Sequence, residues 1–234
     1  MPPFATLYTF TSLRHAKETK IMAIAALNGL EIEIAPDYIS GTTNVTPEFL
    51  AKFPMGQIPA LEVRETGFCL SEGTAICQYL ACKGPKKEQL LGRTDEEQAL
   101  IQMWVSLGES EVFPNAYGII VPMMGRDPYV EWMVKKKEAA LMKALDRVEL
   151  HLKSHKWLVG ESGANLADIS MASAMFWCFM FIWDEGVRKN HPKTVDWYKR
   201  VVEQDEGVKK AFGGDPVFCQ QRLPPFPPDG KPIM

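Results

Sequence analysis

Hydrophobic and polar residues follow two different rhythms along this chain. Thr6-Leu7-Tyr8-Thr9-Phe10 reads as a first strand, and Leu30-Glu31-Ile32-Glu33-Ile34 alternates strictly, as a half-buried strand does. Between them, Ala16 to Leu27 has the helical period and stops at Asn28-Gly29, a helix-ending pair. Thr46-Pro47-Glu48 opens a short helix, with a hydroxyl cap, a proline at the first helical position and an acid near the positive end. Ala60-Leu61-Glu62-Val63 and Phe68-Cys69-Leu70, joined by Arg64-Glu65-Thr66-Gly67, form a hairpin with a glycine-bearing loop. A helix from about Gly73 to Ala81 completes β-α-β-α-β-β-α.

After Lys83-Gly84-Pro85 the strand signal stops, and from Asp95 onward the pattern predicts helices only. Asp127-Pro128 starts a long helix in which Val134, Glu138, Leu141, Leu145, Val148 and Leu152 recur at three- and four-residue spacing, one of them polar. Asn165-Leu166-Ala167-Asp168 has the form of a capping box, with Asn165 as cap and Asp168 reaching back from the third helical position. It launches an apolar helix through Trp183, expected to run through the middle of a helical domain. That run contains Ser170 and Ser173 and ends at Asp184-Glu185. A membrane span needs about 20 apolar residues, so this is a core helix. Leu223-Pro224-Pro225-Phe226-Pro227-Pro228 is proline-dense and extended. The expected architecture is an α/β domain over residues 1–84, a linker over 85–94, an all-helical domain over 95–214 and a Pro-rich tail over 215–234.

Composition narrows the function classes. Apolar residues make up 46% and charged residues 24% of the 234 positions, which argues against extensive disorder. The net charge of −3 offers no basic excess to neutralise a phosphate backbone, so nucleic acid is not an expected partner. Cys69, Cys77, Cys82, Cys178 and Cys219 are odd in number and form no C-x-x-C pair, which fits reduced cytosolic thiols. Met1-Pro2-Pro3-Phe4 leads into strand-like sequence without a signal peptide's charged start and apolar run. The expectation is a cytoplasmic protein with no membrane and no metal.

Two segments carry chemistry. Phe53-Pro54-Met55-Gly56-Gln57-Ile58-Pro59-Ala60-Leu61-Glu62 sets a proline at the mouth of a strand, where it cannot donate to the ladder. About ten residues on, Leu70-Ser71-Glu72-Gly73-Thr74-Ala75-Ile76 places an acid, a glycine and two hydroxyls at a strand-to-helix junction. Free N–H groups at a helix start suit an anion, and Glu72 beside them can hold an ammonium. Such a site accepts a carboxylate and an amine together, the two ends of an α-amino acid.

Pro54-x-Gly56-x-Ile58-Pro59-Ala60-Leu61 followed by Ser71-Glu72-Gly73-Thr74-Ala75-Ile76 resembles the glutathione site of glutathione transferases. That family joins a thioredoxin-like domain to an all-helical one, and the resemblance runs from about Thr6 to Phe212. Asn165-Leu166-Ala167-Asp168 resembles the capping box of its central helix. Within the family, Glu48-Phe49-Leu50-Ala51-Lys52-Phe53-Pro54-Met55-Gly56 and Trp104-Val105-Ser106-Leu107-Gly108-Glu109-Ser110-Glu111 look most like the amino-terminal region of the gamma subunit of translation elongation factor 1. That subunit normally carries a further large domain.

The resemblance implies roles. Ile58, before a cis Pro59, would pair its backbone with the cysteinyl part of glutathione; trans would otherwise be the default, since about 5–6% of X–Pro bonds are cis. Glu72 and the Gly73 N–H would hold the γ-glutamyl end, and Gln57 would face the glycyl carboxylate. Relatives often have serine at Gly73 and lysine at Gln57, so weaker glutathione binding than average is expected, with Thr74 or the bare helix end compensating. Phe113, Tyr117, Met123 and Met124 fall where the family puts its electrophile pocket, although core packing is the commoner role of such residues.

A free thiol titrates near 8.5, and lowering that by two units takes about 2.7 kcal/mol. One charge-assisted hydrogen bond supplies roughly 1.5–3 kcal/mol, and a helix N-terminus adds about 0.3–1 kcal/mol. A single hydroxyl at the start of the first helix therefore suffices. Thr9-Phe10-Thr11-Ser12-Leu13-Arg14-His15 offers three hydroxyls and a cation. Ser12 is the candidate thiolate stabiliser, with Arg14 supporting and Thr11 next; ordinary helix capping explains the same hydroxyls nearly as well. Tyr8 sits one residue before the position the family's tyrosine classes use, on the opposite strand face.

Other features read as structural. His151 and His155 lack an acidic or cysteine partner and mark a polar helix end, and Lys135-Lys136-Lys137 is a solvated face. The primary expectation is a cytosolic, homodimeric enzyme adding glutathione, its co-substrate, to a small hydrophobic electrophile. The alternatives are an interaction module bound to other translation elongation factor subunits, and a glutathione-dependent thiol–disulfide oxidoreductase or peroxidase. The chain's length, without the gamma subunit's further domain, favours the enzyme; the gamma-like phrases favour the module.

Overall fold

The computed structural model describes residues 2–10 and 15–225. Four strands, β1 (Ala5–Tyr8), β2 (Ile32–Ile34), β3 (Ala60–Val63) and β4 (Cys69–Ser71), form one sheet in the order β2-β1-β3-β4. β2 runs parallel to β1, with Ala5 opposite Ile32, and a parallel return needs a crossover, supplied by α1 (Ala16–Leu27). β3 lies antiparallel to β1 with Leu61 opposite Leu7, and β4 pairs back on β3 as the other arm of the hairpin.

Alternation sorts the strand side chains onto two faces. Ala5, Leu7, Leu61 and Val63 join Ile21 and Ile24 of α1 and Ile76 and Leu80 of α3 (Gly73–Ala81) in the main core. On the other face, Tyr8 and Ala60 pack with Tyr38, Phe49 and Phe53 around α2 (Pro47–Lys52). Thr46 caps α2 by accepting the Phe49 N–H at 3.2 Å, with Pro47 in the first turn. β1 ends at Tyr8, two residues earlier than its sequence suggests. Tyr8 pairs with Ala60, and the next residue on that strand is Pro59, which has no N–H to give.

The second half is helical: α4 (Lys87–Leu91), α5 (Asp95–Leu107), α6 (Phe113–Met123), α7 (Glu131–Leu152), α8 (Leu166–Trp177), α9 (Glu185–Asn190), α10 (Pro192–Glu203) and α11 (Glu206–Phe212). α4 occupies the segment read as linker. A π-helical turn, Gly108–Val112, joins α5 to α6; Pro114 has no N–H to tie it to Ser110. The apolar run read as one helix to Trp183 is α8 followed by a second π turn, Cys178–Ile182, closed by the Trp183 N–H on the Cys178 carbonyl at 2.7 Å. α7 begins at Glu131 rather than at Asp127-Pro128. Its first turn closes on the Val130 carbonyl, which leaves Asp127 in the connection before it.

α1 is enclosed between the sheet and the helical half, touching α3, α8 and α11. Gly207 lets α11 approach closely: a Cβ there would lie 2.6 Å from the Ala26 Cβ. Just past α1, the Asn28 amide donates to the Leu80 and Ala81 carbonyls at 2.8 and 2.9 Å and so closes the C-terminal end of α3.

The centre of the helical half is pinned by Asp168. The capping box forms as expected: Asn165 Oδ1 accepts the Ala167 N–H at 2.9 Å, and Asp168 Oδ2 accepts the Asn165 N–H at 3.1 Å. Asp168 Oδ1 also accepts the Leu158 N–H at 2.9 Å and the Trp197 indole N–H at 2.7 Å, tying α8 to the preceding loop and to α10. Burial pushes this carboxyl up to about 6 against the pull of those donors. Asp168→Ala would strand the buried N–H donors, at about 1–3 kcal/mol each. Chemical denaturation should therefore show a loss of about 3 kcal/mol or more; a loss under 1 kcal/mol would refute this anchoring role.

Candidate active site

The crossover that makes β2 parallel to β1 brings the start of α1 beside the mouth of β3, and a cleft of about 580 Å³ opens there. One wall carries Phe10 from the end of β1, His15 and Lys17 from the start of α1, and Ile58 ahead of β3. The opposite wall is apolar, with Phe113, Tyr117 and Val121 of α6 and Trp177 at the end of α8. Arg126 and Asp127, from the turn between α6 and α7, add charge at the rim. A polar wall facing an aromatic one suits a ligand with one polar and one apolar part.

At the polar wall the chain takes two special conformations. The Ile58–Pro59 bond is cis. Glu72, just before α3, has φ 69°, the one described non-glycine residue with positive φ. A conformation so sparsely populated costs on the order of 1–3 kcal/mol and commonly marks a functional position. Glu72 is exposed and makes no side-chain cap to its own helix, which leaves its carboxylate beside the first N–H groups of α3. Gly73 is buried against the α1 side chains and Pro59: a Cβ there would lie 3.3 Å from Lys20 Cε, 3.6 Å from Lys17 Cβ and 3.7 Å from Pro59 Cγ.

His15 and Lys17 set the electrostatics. His15 Nε2 lies 3.2 Å from the hydroxyl of buried Thr9. Burial, reinforced by the Lys17 ammonium, pushes the His15 imidazole down to about 4, so it is neutral at pH 7. The Lys17 ammonium lies 5.5 Å from the centre of the Phe113 ring, across the cleft entrance. Lys17 shares this wall with Ile58.

The sequence candidates divide three ways. Ile58, Phe113 and Tyr117 line the cleft, and Pro59, Glu72 and Gly73 adjoin its polar end. Gln57 is exposed next to Ile58. Ser12, Thr11 and Arg14 lie outside the described residues; their neighbours Phe10 and His15 both line the cleft. Met123 does not belong to the pocket: it is 1% exposed in the main core, on the helix face turned from the cleft, and Met124 is buried likewise. A methionine pattern on a helix cannot say which face looks outward. Tyr8 is on the far face of the sheet, donating to Glu62 Oε2 at 3.0 Å, and burial raises its phenol pKa.

Sequence reasoning missed His15, Lys17 and Trp177. His15 stands inside the segment quoted for its hydroxyls, and Lys17 is two residues further on, so proximity to Ser12 was their available signal. Trp177 had none, being one aromatic among many in an apolar run. Away from the cleft, His151 and His155 stack with ring centres 4.1 Å apart. Among the described residues no group of three or more His, Cys, Asp or Glu could hold a metal ion. No described helix is long and apolar enough to cross a membrane.

Comparison with known proteins agrees with this geometry. The family model for the glutathione S-transferase N-terminal domain matches residues 5–82, and that for the C-terminal domain matches residues 114–205. A glutathione S-transferase-like protein, LUC7 of a Fusarium species, is 45% identical over 223 residues, spanning 95% of this chain and 99% of that one. Elongation factor 1-gamma-A of Xenopus laevis is 31% identical over 219 residues, 92% of this chain and 48% of that protein, so this chain spans about half of it. The crystal structure of the GST-like domain of elongation factor 1-gamma from Saccharomyces cerevisiae superposes with a TM-score of 0.79 at 27% identity, covering 96% of this chain and 99% of that domain. With the sheet order, the cleft and these matches in agreement, the chain belongs to the glutathione S-transferase family.

Proposed function

We propose that this protein is a glutathione transferase that adds the glutathione thiolate to small hydrophobic electrophiles. The observation that carries the reading is the pairing of two surfaces in one cleft: the Ile58–Pro59 strand mouth beside Glu72 and Gly73, and the apolar wall of Phe113, Tyr117 and Trp177. Full-length similarity to a fungal glutathione S-transferase-like protein supports it.

In this reading the Ile58 backbone pairs with the cysteinyl unit. Glu72 and the N–H of Gly73 hold the γ-glutamyl end, and Gln57 faces the glycyl carboxylate. Ser12 donates to the thiolate, supported by Arg14 and Thr11. Lys17, which the cleft geometry adds, contributes a positive potential on the same wall. The sulfur then attacks an electrophilic carbon resting on Phe113 and Tyr117, forming the C–S bond as the leaving group departs with its electron pair. The reading includes a cytoplasmic homodimer. Exposed Leu100, Met103 and Leu150 line a separate groove suited to a second copy.

A second reading is a weakly active or inactive module in an elongation factor 1 complex, favoured by the similarity to the gamma subunit over 219 residues. Thiol–disulfide exchange or peroxide reduction draws no support from the described cleft lining, which contains no cysteine. Cys77 is buried, with its thiol pushed up to about 12 by burial.

Titration calorimetry should show glutathione binding, and conjugation of a chlorinated aromatic should be measurable. No binding at millimolar glutathione would eliminate the enzyme; binding without conjugation would favour the module. Ser12→Ala should cut turnover well over tenfold while leaving glutathione affinity within about twofold. The acid limb of its rate–pH profile should move up, because that limb reports the glutathione thiol; His15, held down to about 4, contributes nothing there. An unchanged rate and profile would remove Ser12 from the mechanism. In sedimentation, the protein should run at twice the chain mass.

A further inference from the structure

The carbonyls at the end of a helix have no partner within it. Past α8 and its π turn these include Phe179 and Phe181, and both are met by N–H groups from near the end of the chain. The Phe179 carbonyl accepts the Cys219 N–H at 2.9 Å, and the Phe181 carbonyl accepts the Leu223 N–H at 2.6 Å. Arg188 Nη1 donates to the Trp183 and Cys219 carbonyls at 2.6 and 2.5 Å, tying the same two stretches. The Phe218 ring lies edge-on to Phe179 at 5.4 Å, with the Arg188 guanidinium 5.3 Å and the Lys199 ammonium 5.6 Å from its centre. Between the two backbone bonds, Arg222 reaches other helices. Its guanidinium pairs with Glu138 of α7 and lies 3.9 Å from the sulfur of Met123, the last residue of α6. α7 is in turn seated on α6 at Gly118, where a Cβ would lie 2.5 Å from Lys137 Cε.

We propose that residues 218–223 form a strap setting the separation of α6 from the end of α8, which makes Arg222 a specificity-determining positioning residue for the apolar part of the cleft's ligand. Those two helices carry the apolar wall: Phe113, Tyr117 and Val121 on α6, and Trp177 as the last residue of α8. Trp177 packs on Phe181, ring centres 6.4 Å apart at 71°, and the Phe181 carbonyl is the one tied by Leu223. Met123 lies two residues beyond Val121, so Arg222 and Glu138 fasten the other side of the same wall. A partly exposed ion pair adds little to stability, so losing it leaves the fold intact. What disappears is a restraint between two helices, and ordering a loosened wall around an apolar group then costs binding free energy. The strap's bonds run to α6, α7, α9 and the end of α8, whereas the polar wall is carried by α1 and Ile58. Its effect therefore falls on the apolar part of the ligand alone.

The inference rests on the glutathione reading for its ligand, and the two fail separately. Calorimetry on the full chain compares glutathione, which reads the polar wall, with S-hexylglutathione, whose alkyl group adds contact with the apolar wall. The wild type should bind the S-hexyl form about tenfold or more tightly than glutathione. Arg222→Met should reduce that gain to about threefold or less while leaving glutathione affinity within about twofold. Arg222→Lys, which keeps the charge pair, should retain the gain. Leu223→Pro removes the N–H held by the Phe181 carbonyl and should reduce the gain in the same way, with the Arg222 pair untouched. A full gain in Arg222→Met or in a folded Leu223→Pro overturns the inference while the glutathione reading stands. So does a wild type that shows no S-hexyl gain, or a loss in Arg222→Met shared equally by both ligands, which is what a merely structural role would give. A wild type that binds no glutathione at millimolar concentration overturns both.

Discussion

Helix α1 is the constraint on which the other elements depend. The sheet lies on one side of it, α3 alongside, and α8 and α11 on the other, so a helix near the start of the chain has almost no solvent-facing surface. Close packing already resists sliding of such a helix, as where Gly207 meets Ala26. This one carries Lys20 into the dry interface, where Thr74 and Glu109 meet its charge. Replacing such a pair by apolar groups is often neutral, whereas losing Glu109 alone would leave the buried ammonium short of its counter-charge. The pair therefore matters less as a source of stability than as a condition on register. α1, the start of α3 and the turn after α5 must align for the charge to be met.

That alignment also shapes the cleft. The π turn holding Glu109 leads directly into α6, whose Phe113 and Tyr117 form the apolar wall. The first turn of α1 contributes His15 and Lys17 to the polar wall, and α3 begins at Glu72, held at positive φ. One packing arrangement thus sets the distance between the polar and apolar walls. Asp168 has the matching role at the far side of α1, fixing α8 against α10 through four N–H bonds' worth of geometry in one buried carboxylate and its cap. The conjugation reading and the elongation-factor reading share this scaffold, since both relatives match it along nearly all of this chain.

Much of the architecture was legible from local pattern. Asn28-Gly29 ended α1, Thr46-Pro47 started α2, and Asn165 with Asp168 opened α8, because caps and turns are settled by a few neighbouring residues. The elements misjudged were those where distant residues intervene. β1 stops at Tyr8 because its partner strand begins at a proline, and the apolar run after Trp177 widens into a π turn that hydropathy cannot distinguish from a regular helix.

At the cleft the same division holds. The motif around Pro59 and the one around Glu72 announced themselves in sequence because their chemistry is carried by the backbone and its immediate neighbours. By itself the sequence determined the two-part architecture and the family resemblance, and it singled out the Ile58–Pro59 and Glu72–Gly73 segments that lie together in the structure. Only the tertiary structure decided that Met123 is core while Trp177 lines the cleft. It likewise decided that Tyr8 faces away, and that Lys20 lies beneath Thr74. These are questions of which helix face meets which neighbour, and such contacts, between residues as far apart as Lys20 and Glu109, leave no local trace in the chain.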